Sequence, residues 1–275
     1  MKLVFDAGGT NLRVAVSLDG KALTAKVSVP TPKKYSDALA IIHKAAEALA
    51  SGKRISAIVG GAAGPFDHNR TRMLHSPHLP GWAGKPLARD LKRLFRVSVR
   101  LENDSALAAL GEATHGAGRG FRIVGFINIG TGIGGARVVG GDLSVVHYGF
   151  EPGHHLLVDG SRRREREWEA FVSGSAVKRA TGRPSHLVTD GRIWKRLVPV
   201  IAVGLVNVIM FWSPDIIILG GSLIQCFPIQ LIRAAVRARL PFPRLLPVIR
   251  RGQLGDDAGL YGALALQRTT KRRQQ

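Results

Sequence analysis

Apolar residues at the start of the chain come in short runs broken by glycine. Leu3 to Phe5 and Leu12 to Ser17 flank Gly8-Gly9 and predict a hairpin, with Lys21 to Val29 as a third strand. From Ser36 the period changes: Ala38, Ile41, Ile42, Ala45, Ala48 and Leu49 recur at helical spacing up to Ser51, and Gly52 is the stop. Ile55 to Val59 reads as a buried strand ending on Gly60-Gly61. Met73 to Gly84, rich in Pro, His and Gly, reads as a loop. A helix is predicted over Leu87 to Phe95, a strand over Val97 to Leu101, and an alanine-rich helix over Asp104 to Thr114 that ends near Gly116 and Gly118.

A second cycle then begins. The strand Arg122 to Ile129 breaks at Gly130-Thr131-Gly132-Ile133-Gly134-Gly135 and resumes at Ala136 to Val139, repeating the strand, glycine turn, strand order of the N-terminus. A helix across Glu167 to Ala180, a long apolar helix, a buried strand Ile216 to Leu219 before Gly220-Gly221, and a helix from Ala258 to about Arg268 follow. The apolar stretch Leu197 to Trp212 is short for a membrane span and contains Asn207, so a buried helix is expected and no membrane partner. The pattern predicts an α/β chain of two lobes, residues 1–103 and 104–257, with the helix 258–270 completing the first lobe. No low-complexity linker separates them, so they are expected to be closely coupled.

Composition supports this picture and narrows it. A chain of 275 residues with 45% hydrophobic content can bury two modest cores. Cys226 is the one cysteine, which excludes an intrachain disulfide and a zinc site of several thiolates. It also fits a reducing cytoplasm. The chain opens on a strand rather than a leader, so secretion is not expected. Lys and Arg number 40 against 19 Asp and Glu, a net charge of +21, which raises the question of a polyanionic partner. The basic residues are spread out, with local clusters at Arg162-Arg163-Arg164, Arg192 to Arg196, Arg233 to Arg251 and Lys271-Arg272-Arg273, and no aromatics are interleaved for base stacking. A generally basic surface without specific nucleic-acid binding is expected; a polyphosphate or nucleic-acid groove is the sharper alternative.

Three segments carry candidate chemistry. Asp6-Ala7-Gly8-Gly9-Thr10-Asn11 puts a carboxylate at a strand end and two residues without side chains in the turn beyond it. Backbone N–H groups there can approach phosphate oxygens, Thr10 and Asn11 offer neutral donors, and Asp6 can face magnesium through water. The plain alternative is an ordinary hairpin turn. Asn128 to Gly135 has four glycines in eight residues, but it returns into a strand where a dinucleotide-binding turn would open a helix, and no Gly-x-x-x-x-Gly-Lys-Ser/Thr loop occurs. Two such loops on two lobes fit a nucleotide held across a cleft. Between them, Asp104 stands at a strand-to-helix junction, where it is either a helix N-cap or a base for an attacking hydroxyl oriented by Asn103.

The chain resembles the ROK family (repressor, open reading frame, kinase) of the actin-like ATPase and sugar-kinase superfamily, from about residue 3 to about residue 266. The resemblance is carried by Asp6 to Thr10, Leu79-Pro80-Gly81-Trp82, Glu102-Asn103-Asp104-Ser105-Ala106, Gly130 to Gly135, Glu151-Pro152-Gly153-His154, Ser173-Gly174-Ser175-Ala176 and Leu219-Gly220-Gly221. It implies a two-lobed actin-like (ribonuclease H-like) fold with the active site in the cleft. It further implies an ATP- and magnesium-dependent hexose kinase, with glucose phosphorylated at its primary hydroxyl and a homodimer as the assembly. In that reading Asp104 is the general base, and Gly64, Asn103, Glu151, His154 and Glu169 hold the sugar. Asp6, Gly8, Gly9, Thr10, Asn11, Gly130, Thr131 and Gly132 face phosphate and metal, while Gly220 and Gly221 lie against the adenosine.

Two departures from the family pattern shape the expectations. The family's Cys-x-Cys-Gly-x-x-Gly-Cys zinc loop is replaced by Asp159 to Glu169, which has no cysteine, so structural zinc is not expected. Packing of Trp168 and ion pairing in the Arg-rich loop are expected to orient His154 instead, with His147 and His155 as ordinary polar residues. His78 stands where the resemblance calls for Asn, which leaves fructose, mannose or an N-acetylhexosamine open beside glucose. Polyphosphate is the alternative donor. A sugar-responsive regulator is the non-enzyme alternative, although no helix-turn-helix segment precedes the first loop here.

Overall fold

The computed structural model describes residues 1–159, 164–242, 244 and 246–272. The first sheet contains β1 (Lys2–Ala7), β2 (Asn11–Ser17), β3 (Ala25–Pro30), β4 (Ala57–Ala62) and β5 (Ser98–Asn103), in the order β3-β2-β1-β4-β5. β1 and β2 form the predicted hairpin, with Asp6 opposite Arg13, and β1, β4 and β5 run parallel. The helices α1 (Tyr35–Ala50) and α2 (Leu87–Phe95) supply the crossovers. Gly60 and Gly61 do not end the strand; they lie inside β4. A Cβ at Gly60 would overlap the Phe5 ring, and one at Gly61 would stand 2.7 Å from Leu107, so these glycines serve close packing.

After α3 (Asp104–His115) the second cycle supplies β6 (Ile123–Ile129), β7 (Ile133–Val139) and β8 (Asp142–Leu143), then a separate ribbon of β9 (Leu156–Asp159) and β10 (Arg164–Glu167). β11 (Ile216–Gly220) and β12 (Val248–Arg251) complete the second sheet in the order β12-β11-β6-β7-β8. This is the first sheet's plan repeated: an antiparallel meander on one side of the opening strand and two parallel strands on the other. The predicted helix over 167–180 is two helices, α4 (Trp168–Val172) and α5 (Gly174–Thr181), because Ser173 is extended and its hydroxyl accepts from the Ala176 N–H at 3.1 Å as the cap of α5. The long helix α6 (Gly191–Trp212) is apolar and long enough to cross a membrane by length and composition. It buries Ile201, Leu205 and Val208 in a core shared with α7 (Ile229–Arg237) and the second sheet, as expected for a core helix. Trp168 fills the space beside Gly204 and donates its indole N–H to the Val200 carbonyl at 3.2 Å.

The closing helix, α8 (Ala258–Arg272), lies against α3 and against β1, β2 and β4 of the first sheet. Leu107 and Leu110 of α3 pack with Leu260, Ala263 and Leu264 of α8, and the same cluster takes Val4 and Val59 from the first sheet and Phe126 and Ile218 from the second. The two helices thus form the layer between the sheets. Their contact is backbone on backbone: a Cβ at Gly262 would overlap the Leu107 carbonyl, and one at Gly111 would overlap the Ala258 carbonyl. Gly262→Ala is therefore expected to force the helices apart and cost about 1–3 kcal/mol, lowering the melting temperature by several degrees. Gly191→Ala, where nothing stands within 4 Å, is the matched control and should leave it unchanged. Calorimetry on the two variants reads this out, and equal melting temperatures would refute the close-packing account.

Candidate active site

The cleft between the sheets encloses about 690 Å³, a volume suited to small-molecule ligands. Its lining brings together every residue singled out in the sequence: Asp6, Gly8, Gly9, Thr10 and Asn11 from the first turn; Gly64; Asn103 and Asp104; Gly130, Thr131 and Gly132 from the second turn; Glu151, His154 and Glu169; and Gly220 and Gly221.

The first turn is shaped by the Gly8 N–H donating to the Asn11 carbonyl at 3.0 Å. It is tied down by Thr31, whose N–H reaches the Thr10 carbonyl at 2.9 Å and whose hydroxyl reaches the Gly8 carbonyl at 2.7 Å. The second turn is clasped by the start of α5: the N–H groups of Gly174 and Ser175 donate to the carbonyls of Gly130 and Thr131 at 2.7 and 3.1 Å. Gly221, at φ +90, sits against the Ile129 carbonyl, where an L side chain would be both strained and without room.

At the β5 to α3 junction the N-cap is Asn103, not Asp104. The Asn103 side chain accepts from the Ala106 N–H at 3.0 Å and donates to the Gly64 carbonyl at 3.1 Å, fixing the Ala63-Gly64-Pro65 loop to the helix start. Asp104 occupies the first helical position, its carboxylate accepting from the Ser105 N–H at 2.7 Å. Burial pushes its carboxyl up from the usual range, while the Ser105 N–H and the charge of His78 act in the opposite direction. Glu151 is likewise raised by burial, against the pull of His154 and with the push of Asp104 and Glu169. Glu169 accepts from the Ile133 N–H at 3.1 Å, so α4 and the second turn share one contact.

Asp6 is buried, and its pKa is raised to about 8 by desolvation first, then by Asp104, with Arg13 pulling the other way. Arg13 lies 3.9 Å from Asp6 and pairs more closely with Asp256, at 2.9 Å. The Asp6 Oδ1 has no hydrogen-bond partner although it is buried. An orphaned, desolvated carboxylate oxygen on a residue that lines the cleft is a fit for a cation or its water.

The partner of His154 is Glu167, whose Oε1 lies 3.2 Å from Nδ1. Trp168 instead stacks on His155, at 5.1 Å between ring centroids, and the Arg-rich residues 161–163 lie outside the described residues. His154, Glu167 and Glu169 bring ligand atoms within 4.8 Å of one another, a histidine and two carboxylates without a thiolate.

Sequence reasoning missed three residues of this cleft. Arg13 was signalled by its place opposite Asp6 in the hairpin. Glu112 is buried yet lines the cleft, accepting from the N–H groups of Ala117, Gln253 and Leu254 at 2.9, 3.1 and 2.8 Å and so joining α3 to the loop before α8. His78 was noted only as a departure from a pattern, and it stands between the two turns.

The model of the ROK family matches residues 3–270. The chain is 28% identical to a glucokinase of Streptomyces coelicolor over 96% of each chain. It is also 28% identical to an N-acetyl-D-glucosamine kinase of Escherichia fergusonii over 95% of this chain and 97% of that one. Among solved structures, the ROK hexokinase of Thermus thermophilus superimposes with a TM-score of 0.80 at 30% identity, covering 98% of this chain and 99% of that one. A ROK family glucokinase of Streptomyces griseus in complex with glucose and AMPPNP superimposes with a TM-score of 0.82 at 26% identity and the same coverage. The two five-stranded sheets and the cleft between them are the actin-like, two-lobed arrangement of these kinases. On the extent of these matches, the chain belongs to the ROK family.

Proposed function

We propose that this chain is a sugar kinase that transfers the terminal phosphoryl group of ATP to a hexose, with glucose and its primary hydroxyl as the first substrate to test. The observation that carries the reading is the carboxylate of Asp104, desolvated in a cleft between two backbone phosphate turns and accompanied by Glu151, His154 and Glu169. Likeness to a kinase structure holding glucose and AMPPNP supports ATP as donor. Likeness to both glucokinases and N-acetyl-D-glucosamine kinases is the reason the sugar is a matter for experiment.

In the proposed step Asp104 accepts the proton of the attacking hydroxyl. The oxygen to phosphorus bond forms as the bond from phosphorus to the bridging oxygen breaks, and the electron pair leaves with ADP. Burial raises the basicity of Asp104, which suits a group that must take a proton from an alcohol. Carboxylates at Glu151 and Glu169 can accept hydrogen bonds from neighbouring sugar hydroxyls, and a sugar that leaves them unpaired in a dry site is rejected. Asp6, with its unpartnered Oδ1, would hold magnesium through water; when bound, the ion supplies neutralisation of phosphate charge.

The donor reading is supported by where the charge lies. Among the described residues lining the cleft, Arg13 is the one Lys or Arg, whereas Asp6, Asp104, Glu112, Glu151, Glu169 and Asp256 are all acidic. A long polyphosphate would need a basic track leading into the site; the +21 net charge is carried elsewhere.

Three outcomes test this function. In a coupled ADP-release assay over hexoses and amino sugars, one sugar should stimulate turnover with ATP and magnesium but not with polyphosphate; no stimulation by any sugar would sink the reading. Asp104→Asn should lower kcat by about 10²–10⁴-fold with little change in sugar KM. The third concerns pH. With the Asp6 pKa at about 8, above the usual carboxyl range, the folded state holds a proton that the unfolded chain gives up, so the stability from this group is present at acid pH and is lost as pH rises toward about 8. Asp6→Asn should therefore melt progressively higher relative to wild type between about pH 5 and about pH 8, without added metal, and parallel melting curves across that window would refute the assignment.

A further inference from the structure

We propose that His78 is a further catalytic residue, whose imidazole touches the phosphoryl group as it passes between the two glycine turns and places positive charge there. The inference rests on the kinase reading above and deepens it.

The ring spans the gap between the turns. A Cβ built on Gly9 would stand 2.9 Å from the His78 Cβ, and one built on Gly132 would stand 3.3 Å from its Nε2. Gly9 belongs to the first turn and Gly132 to the second, so the side chain reaches from one lobe's phosphate turn to the other's. On its own loop the residue is held rather than loose. The hydroxyl of buried Ser76 accepts from the Leu79 N–H at 3.0 Å, Leu79 is buried, and the Trp82 indole donates to the Pro32 carbonyl at 3.0 Å.

Charge gives this position its meaning. Asp104 at the start of α3 feels the charge of His78, and Glu169 of α4 stands beside the same Gly132. Asp6 of β1 and Glu151 line the same cleft, and His75 is the other titratable group on the loop. A phosphoryl group entering among these carboxylates brings more negative charge, spread over its equatorial oxygens. An imidazolium between the turns offsets it at the point of transfer, where a donor fixed in advance needs no reorganisation. In the step itself the hydroxyl proton goes to Asp104, the new oxygen to phosphorus bond forms, the bond to the bridging oxygen breaks with its electron pair going to ADP, and the imidazolium keeps its proton throughout.

The test compares wild type, His78→Gln and His78→Asn in the ADP-release assay, with AMPPNP and sugar binding measured by calorimetry. Expected for both variants is a fall in kcat of about a hundredfold, with both ligands bound within about threefold of wild type. A kcat unchanged by either substitution, or a fall in kcat no larger than the loss of ligand binding, overturns the proposal. Wild type without any sugar-stimulated turnover refutes the kinase reading itself, which separates the two failures.

Discussion

The arrangement of this molecule depends on the crossing of α3 and α8, where two backbones meet without side chains between them. Gly111 rests against the Ala258 carbonyl and Gly262 against the Leu107 carbonyl, so the helices run antiparallel with backbone against backbone. From that contact the rest of the cleft is laid out. The start of α3 carries Asn103 and Asp104, and the start of α8 brings Gly259 against the Asp6 carboxylate. Asp104, the proposed base, and Asp6, the candidate cation ligand, are thus placed by one joint that both sheets share. Glu112 locks the same joint from its other end by taking three backbone N–H groups.

The cleft is acidic inside a basic shell. Desolvation lifts the carboxyls of Asp6, Asp104 and Glu151 together, and the charge of Asp104 raises Asp6 and Glu151 further. A site in this state has stored a preference for cations and hydrogen-bond donors before any ligand arrives. The outer charge acts at longer range and draws anions toward the surface, with salt weakening the attraction. The two fields have opposite sign and different reach, which lets one chain attract a phosphate donor and still present a carboxylate-rich floor to a sugar.

Much of the fold was legible because it is periodic. The two hairpins, the buried strands and the apolar helices follow from spacing, and the glycine turns stand out by their composition. Where reading failed, tertiary contact was the cause. Gly60 and Gly61 look like a stop but make room for Phe5 and Leu107, and Ser173 breaks a helix because it caps the next one. Asp104 reads as the N-cap from its place at the junction, and the bond from the Ala106 N–H gives that role to Asn103. The resemblance to a known family named Glu151 and Glu169 together in advance, and both line the cleft although no shared pattern links their segments. Glu167 as the partner of His154, and His78 between the turns, were hidden for the same reason: each lies in a segment whose conformation is set by what it packs on.

The repeated sheet plan also bears on the two turns. Asp6 and Asn128 each stand two residues before the first glycine of their turn, on the opening strand of their sheet. The frame treats the two positions alike. What distinguishes them is one atom, an oxygen in one side chain and a nitrogen in the other, so that one half of the molecule has charge to offer a cation and its counterpart has only an amide. On a repeated scaffold that exchange gives a ligand lying across the two turns different chemistry at its two ends.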